Sequence, residues 1–363
     1  MKRLRSGFTT GACAAAAAKG ATVFLLCRHA VGHVDIPFPD GSRVNFKLAG
    51  CGWLEGENTL AYCSVIKDAG DDPDVTNKAE IVALVSMESR ESTDVADLQI
   101  IGGKGVGIVT KPGLALPVGA PAINPVPLKM IEQAVREALH NASEDLSEHK
   151  LVVSISVPRG EELAKKTLNK RLGILGGLSI LGTTGVVVPV SAEAWTATIT
   201  ASMDVARECG VRDIVLSTGR TSERAVEEHY NFPEEALIMM GDYLEFSLKA
   251  AAERGFRKIH LAGMWAKLLK GALRTPQTHV RHGALDVEKG ISLLQQLAKT
   301  NVEIQYLQGS NTAREIYERL KNNGDNELIR TVCQAAKDYY QDICGLPVQV
   351  HLVSISGKIV ESV

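Results

Sequence analysis

The chain changes rhythm partway along. In its first part apolar and polar positions alternate over 33–38, 43–48, 60–67 and, after an aspartate-rich turn, 79–88, the two-residue period of half-buried strands. Pro37, Pro39 and Asp40-Gly41 punctuate the first two as a hairpin. Short strands are expected at 98–101 and 107–110, around Gly102-Gly103-Lys104-Gly105. A helix over 12–27 is built mainly of alanine, the strongest helix former, with Thr10 as the expected N-cap. A second helix over 127–140 follows a stiff extended loop that holds five of the 13 prolines. The polar, aperiodic stretch 141–150 reads as a linker. Beyond it, 151–157 is a nearly continuous apolar run, expected of a strand buried on both faces. Helices at 192–209, 222–230 and 242–254 then alternate with strands at 213–217, 236–240 and 258–262, which predicts βαβ units and a parallel sheet. Helices at 287–299, 311–322 and 326–341 and a strand at 348–354 close the chain. The division expected is an α+β domain over 1–146 and an α/β domain over 147–363.

Composition narrows the function. A length of 363 residues suits two domains, and 45% hydrophobic with 23% charged residues supplies an ordinary core. A net charge of −2 and only 5% aromatics leave neither a basic field nor stacking platforms for nucleic acid, so that partner is disfavoured. Seven cysteines without a Cys-x-x-Cys read as reduced thiols. Met1-Lys2-Arg3-Leu4-Arg5 ahead of the alanines imitates a signal peptide, but Lys19 interrupts the run and Gly7-Phe8-Thr9-Thr10 is polar where the apolar region should begin. Without an uninterrupted membrane-length apolar run, the expectation is a cytoplasmic protein with no membrane partner. A homo-oligomer is compatible with the sequence.

In a parallel sheet, ligands sit beyond the carboxyl ends of the strands. Four loops rich in glycine and hydroxyls are expected there: residues 173–185, Thr218-Gly219-Arg220-Thr221, Gly241-Asp242 and Gly263-Met264. Glycine admits close backbone approach, and helix-start amides favour an anion. The spacing rejects both a dinucleotide fingerprint and a P-loop at Gly102–Gly107. Asp71-Asp72-Pro73-Asp74-Val75-Thr76-Asn77 lacks the glycine and closing glutamate of an EF-hand and reads as a capped turn. His279, His282 and Asp286 form an incomplete metal trio, so no metal site is assigned. No nucleophile–base arrangement stands out, and the catalytic residues are unassigned.

Several longer strings carry more. Residues 5–19 (RSGFTTGACAAAAAK), Asp72-Pro-Asp-Val-Thr-Asn77, Gly102-Gly-Lys-Gly-Val-Gly-Ile108, Lys111-Pro-Gly-Leu114, Ala122-Ile-Asn-Pro125, Pro158-Arg-Gly160, residues 172–185 and Thr218-Gly-Arg220 resemble, in order, the CbiD family of cobalt-precorrin-5B C-1 methyltransferases. Lys78, where a small residue is expected, and the loop at 279–286 depart from that pattern. The resemblance implies transfer of the S-adenosylmethionine methyl group to C-1 of a cobalt tetrapyrrole, with cobalt arriving only as part of the substrate. It also implies an N-terminal domain like ribosomal protein S5 domain 2 followed by a Rossmann-like domain, with the active site between them.

On that basis Gly176, Gly177, Thr183, Thr184, Gly185, Thr218, Gly219 and Asp242 are expected around S-adenosylmethionine. Arg5, Lys104, Lys111, Arg159 and Arg220 are expected on the substrate's carboxylates, with Asp72, Asp74 and Thr76 in the same site and the helix start at Thr9, Thr10 and Gly11 as an anion cradle. Rival readings are a nucleotide-dependent small-molecule kinase and a non-catalytic tetrapyrrole carrier.

Overall fold

A computed structural model describes residues 4–89, 97–144, 146, 149–276, 285–298 and 304–363. The chain forms two compact units, Met1–Ser191 and Ala192–Val363.

Unit 1 runs through β1 (Gly7–Phe8), α1 (Thr10–Cys27), β2 (His33–Pro37), β3 (Arg43–Lys47), β4 (Gly50–Trp53), β5 (Leu60–Ile66), β6 (Glu80–Ser89), β7 (Leu98–Gly102), β8 (Ile108–Val109), α2 (Pro125–Asn141), β9 (His149–Ser156), α3 (Gly160–Ala164), β10 (Ile174–Leu175) and β11 (Val186–Val187). Its main sheet has the order β4-β5-β6-β9-β7, antiparallel except for β7 against β9. Helix α1 packs on β5, β6 and α2. Ala12, Ala14, Ala15, Ala16, Ala17 and Ala18 are all fully buried, because side chains this small let backbone layers approach on every side. By length and composition α1 could cross a membrane, yet 78% of its apolar window is buried within the protein, as in a core helix.

The boundary expected at 146 moves to 191. β9, read as the first strand of the parallel domain, pairs with β6 and β7 in unit 1. Its burial alternates at Leu151, Val153 and Ile155, with Val152 and Ser154 only partly covered, so the apolar run conceals a half-buried strand. The expected linker therefore lies inside unit 1, between α2 and β9. The cysteines also differ from expectation. Cys51 and Cys63 stand opposite each other on β4 and β5 and form a disulfide, while Cys13, Cys27, Cys209, Cys333 and Cys344 are free thiols.

Unit 2 contains α4 (Ala192–Glu208), β12 (Asp213–Ser217), α5 (Arg220–Tyr230), β13 (Leu237–Met239), α6 (Leu244–Glu253), β14 (Lys258–Gly263), α7 (Trp265–Ala272), α8 (Val287–Leu297), α9 (Ala313–Asn322), α10 (Asn326–Cys344), β15 (Val348–Val353) and β16 (Ile359–Ser362). Its sheet order is β13-β12-β14-β15-β16, parallel throughout except for β16. Ile214 and Leu216 join the core formed with α4, α6, α7 and α10, while Val215 faces Ala225 and Val226 of α5. Helices thus cover both faces. The expected βαβ pattern stands in this unit, with α7 and β16 added to it.

Candidate functional site

The strand order of unit 2 creates the kind of crevice in which open parallel sheets bind ligands. β13 follows β12 on one side, and the chain then returns to place β14 on the other. Loops leaving β12 and β14 therefore diverge, opening a crevice at the carboxyl end of the sheet. Thr218, Gly219 and Arg220 leave β12, and Gly263 ends β14 with Met264 leading into α7. A Cβ built on Gly219 meets no atom within 4 Å, so space lies open before this backbone, whereas one on Gly263 would touch the Thr218 methyl at 3.4 Å.

Charge is placed deliberately around the crevice. The Glu223 side chain is only 2% exposed and sits in the first turn of α5. Arg220 donates to its carboxylate at 3.1 Å and the Ser217 hydroxyl at 3.4 Å. Asp242, after β13, forms an ion pair with Lys267 of α7. Burial pushes the neighbouring Lys270 ammonium below its ordinary pKa, as does the Lys267 charge, against the opposing pull of Asp242. Near Asp242 stand two aromatic rings, Trp195 and Tyr243, nearly parallel with centroids 6.4 Å apart.

Three of the expected donor-site residues, Thr218, Gly219 and Asp242, come together here with Arg220. The other five, Gly176, Gly177, Thr183, Thr184 and Gly185, are on unit 1, where their stretch is woven into the fold. The Leu178 amide donates to the Gly105 carbonyl at 2.9 Å and the Ile180 amide to Ala122 at 2.7 Å. A Cβ on Gly177 would lie 2.2 Å from the Gly105 carbonyl oxygen, so glycine is required for the two backbones to cross. Thr184 closes its own turn through the Val186 amide and carbonyl, and Thr183 and Gly176 are exposed.

The helix start expected to cradle an anion is likewise occupied by the protein. Thr9, not Thr10, caps α1 by accepting from the Ala12 amide at 3.1 Å. The Thr9 amide donates to the Gly185 carbonyl and the Gly11 amide to Leu181, both at 3.0 Å. The Thr10 hydroxyl accepts from the Leu181 amide and donates to its carbonyl. A carboxylate would have to displace this clasp.

The acidic turn is also satisfied internally. Lys67 is 1% exposed and its ammonium lies 2.5 Å from Asp74. Asp74 further accepts from the Thr76 amide and hydroxyl at 2.7 and 2.6 Å, and the Asp72 carboxylate accepts from the Val190 amide at 2.9 Å. Burial raises the Asp74 pKa, but the Lys67 charge and these donors outweigh it and hold the carboxyl below its usual range. Lys78 takes a left-handed φ of +64°, so the small residue expected there corresponds to a conformation glycine adopts without strain.

The proposed cations divide. Arg5 forms a fork with Asp68 at 2.6 and 2.8 Å, and Arg159 another with Glu162 at 3.0 and 2.9 Å. Lys111 donates to the Arg171 carbonyl. Lys104 is exposed, as are Ile108 and Leu175, apolar partners directly opposite each other on β8 and β10 and 52% and 48% exposed. His279 and His282 lie outside the described residues. Asp286 caps α8 at the Lys289 amide, and the described residues contain no metal-holding cluster.

Sequence reasoning missed Trp195, Glu223, Tyr243 and Lys267. The i, i+3, i+4, i+7 spacing of Trp265, Leu268, Leu269 and Ala272 could have revealed α7 and with it Lys267.

Comparison with known proteins supplies the lineage. The family model CbiD matches residues 1–189, and the model for the CbiD C-terminal domain matches residues 277–363. A Desulfotalea psychrophila protein named cobalt-precorrin-5B C(1)-methyltransferase is 51% identical, covering 98% of this chain and 97% of its own. Proteins of the same name from Geobacter metallireducens and Geotalea daltonii are 49% and 48% identical, each covering 93% of this chain and 92% of its own. A crystal structure of a cobalamin biosynthesis protein, CbiD, from Archaeoglobus fulgidus is 25% identical, covers 88% of this chain and 85% of its own, and has a TM-score of 0.41. With family models matching most of its length and relatives near 50% identity, the chain belongs to the CbiD family.

Proposed function

We propose that this chain methylates C-1 of cobalt-precorrin-5B, giving cobalt-precorrin-6A, with S-adenosylmethionine as donor. The observation that carries the reading is the nearly end-to-end identity of 51% with a relative of that name. Neither a kinase nor a carrier draws support from any feature described above. The domain reading that goes with this is an S5 domain 2-like unit 1 and a Rossmann-like unit 2.

The donor site is assigned to the carboxyl end of the unit 2 sheet. Gly219 leaves open space before the β12 loop, so its backbone can approach a ligand closely. Asp242, held in an ion pair with Lys267, offers hydrogen-bond acceptors for ribose hydroxyls. Glu223 anchors Arg220 at the rim, where its guanidinium remains 73% exposed and able to meet a carboxylate. Arg5, Lys111 and Arg159, like Thr9, Thr10, Thr76 and Thr184, are engaged by internal partners and act on the fold first. On unit 1, the exposed Ile108–Leu175 pair offers an apolar patch for part of the macrocycle, with Lys104 for a peripheral carboxylate.

When bound, the donor supplies a sulfonium-activated methyl group, already a strong electrophile. The residues therefore need to position and desolvate rather than to generate a nucleophile. Holding the reacting carbons at about 3–3.5 Å in line with the departing sulfur is the principal task, consistent with a site of glycines and two ion pairs, Asp242–Lys267 and Arg220–Glu223. Incubating the full chain with cobalt-precorrin-5B and S-adenosylmethionine should add one methyl mass to the tetrapyrrole, at C-1, and release S-adenosylhomocysteine. Binding without methyl gain would leave a carrier.

A further inference from the structure

The chain has three tryptophans, and their surroundings differ in kind. Trp53 packs edge-on against Phe24, with the Arg28 guanidinium 5.8 Å from its ring centre. Trp265 is 5% exposed within the unit 2 core. Trp195, in the first turn of α4, is 44% exposed and yet fixed. Its indole Nε1 donates to the Met240 carbonyl at 3.3 Å, immediately after β13. The ring lies against Gly241, which has a left-handed φ of +58° and whose added Cβ would come 3.0 Å from Trp195 Cζ2. Glycine at this position serves both the turn and the ring.

An exposed ring held by a hydrogen bond to a strand end has lost much of its freedom before any ligand arrives, so little ordering cost remains for stacking on it. The segment Gly241-Asp242-Tyr243 places the carboxylate assigned to ribose between the residue beneath the Trp195 ring and Tyr243, whose ring is tilted only 25° from Trp195. A flat aromatic base joined to a diol matches this juxtaposition.

We propose that Trp195 and Tyr243 form the stacking face for the adenine ring of the methyl donor, beside Asp242. The assignment rests on the reading that unit 2 binds S-adenosylmethionine, and adds the residues that hold its base.

Calorimetry on the full chain with S-adenosylhomocysteine and with adenosine tests it. Trp195→Ala should weaken both ligands by about tenfold or more, since stacking on an aromatic side chain carries an energy of that order per base. Trp195→Phe should recover most of the loss, and thermal melts of the unliganded variants should match the parent. If the parent binds while Trp195→Ala stays within about twofold of it, the stacking face is overturned and the donor reading survives. If the parent shows neither heat nor a shift in melting with S-adenosylhomocysteine, the donor reading fails and takes the stacking face with it.

Discussion

Replacing Asp74 by Asn should destabilise unit 1 severely, although the change alters one atom. The Lys67 side chain is 1% exposed and its ammonium is 2.5 Å from the Asp74 carboxylate. Asn retains an oxygen that can accept from the Thr76 amide, so the turn is preserved and the lost quantity is the countercharge. Removing one partner of a buried pair costs about 3–5 kcal/mol, because the survivor is left charged without compensation. Asp74 is itself about one-quarter exposed, which places the expected value near the lower end. At roughly 2–4 °C per kcal/mol for a unit of this size, the melting transition should fall by about 10 °C. Differential scanning calorimetry on the parent and Asp74→Asn measures that shift. The double variant Lys67→Met/Asp74→Asn removes both charges with similar volumes and should recover most of it. An Asp74→Asn protein melting within about 2 °C of the parent, a loss below 1 kcal/mol, would refute the claim that this carboxylate compensates a buried lysine.

Three further outcomes follow from other parts of the molecule. His260 and His351 are buried and bonded ring to ring at 3.0 Å, and burial depresses them to about 4 and about 3, helped by the Lys258 charge in both and by His260 in the case of His351. The unfolded chain binds their protons below about pH 6.5 while the native state does not, so stability is full above that pH and falls on acidification towards pH 4. At pH 5 the loss should be about 2 kcal/mol per histidine, read from urea melts, and His260→Gln/His351→Gln should flatten this dependence. Thiol titration of the denatured, unreduced protein should find the five free cysteines, rising to seven after reduction; seven without reduction would exclude the Cys51–Cys63 bond. Gly177→Val should lower the melting temperature of unit 1, since its Cβ would collide with the Gly105 carbonyl; a normal melt with lost donor binding would return residue 177 to the site.

The legible parts of this sequence are those whose cause is local. Two-residue alternation marked β2, β3, β5 and β6, and strand–helix alternation marked the parallel sheet of unit 2, because each pattern records one face packed against a core. What escaped depends on partners far along the chain. Strand β4 carries two glycines and gains its order from pairing with β5. Choosing between Thr9 and Thr10 as the cap is equally non-local, since the Thr10 hydroxyl is held by Leu181, 171 residues away.

The same distinction governs the site. Strings that carry the family resemblance divide between loops that border open space and internal joints, and membership of such a string does not separate them. Thr218-Gly-Arg220 borders open space at a strand end. The 172–185 string instead crosses the Gly105 backbone and closes over the start of α1, while Asp72-Pro-Asp-Val-Thr-Asn77 encloses Lys67. A glycine admits a close neighbour in either setting. Whether that neighbour is a ligand or another stretch of the protein is decided by topology: in unit 2 the chain reverses direction across the sheet and leaves a crevice, whereas in unit 1 the space before Gly177, Gly182 and Gly185 is filled by the protein itself. Trp195 illustrates the converse, a residue outside every matched string that the end of β13 brings beside Asp242.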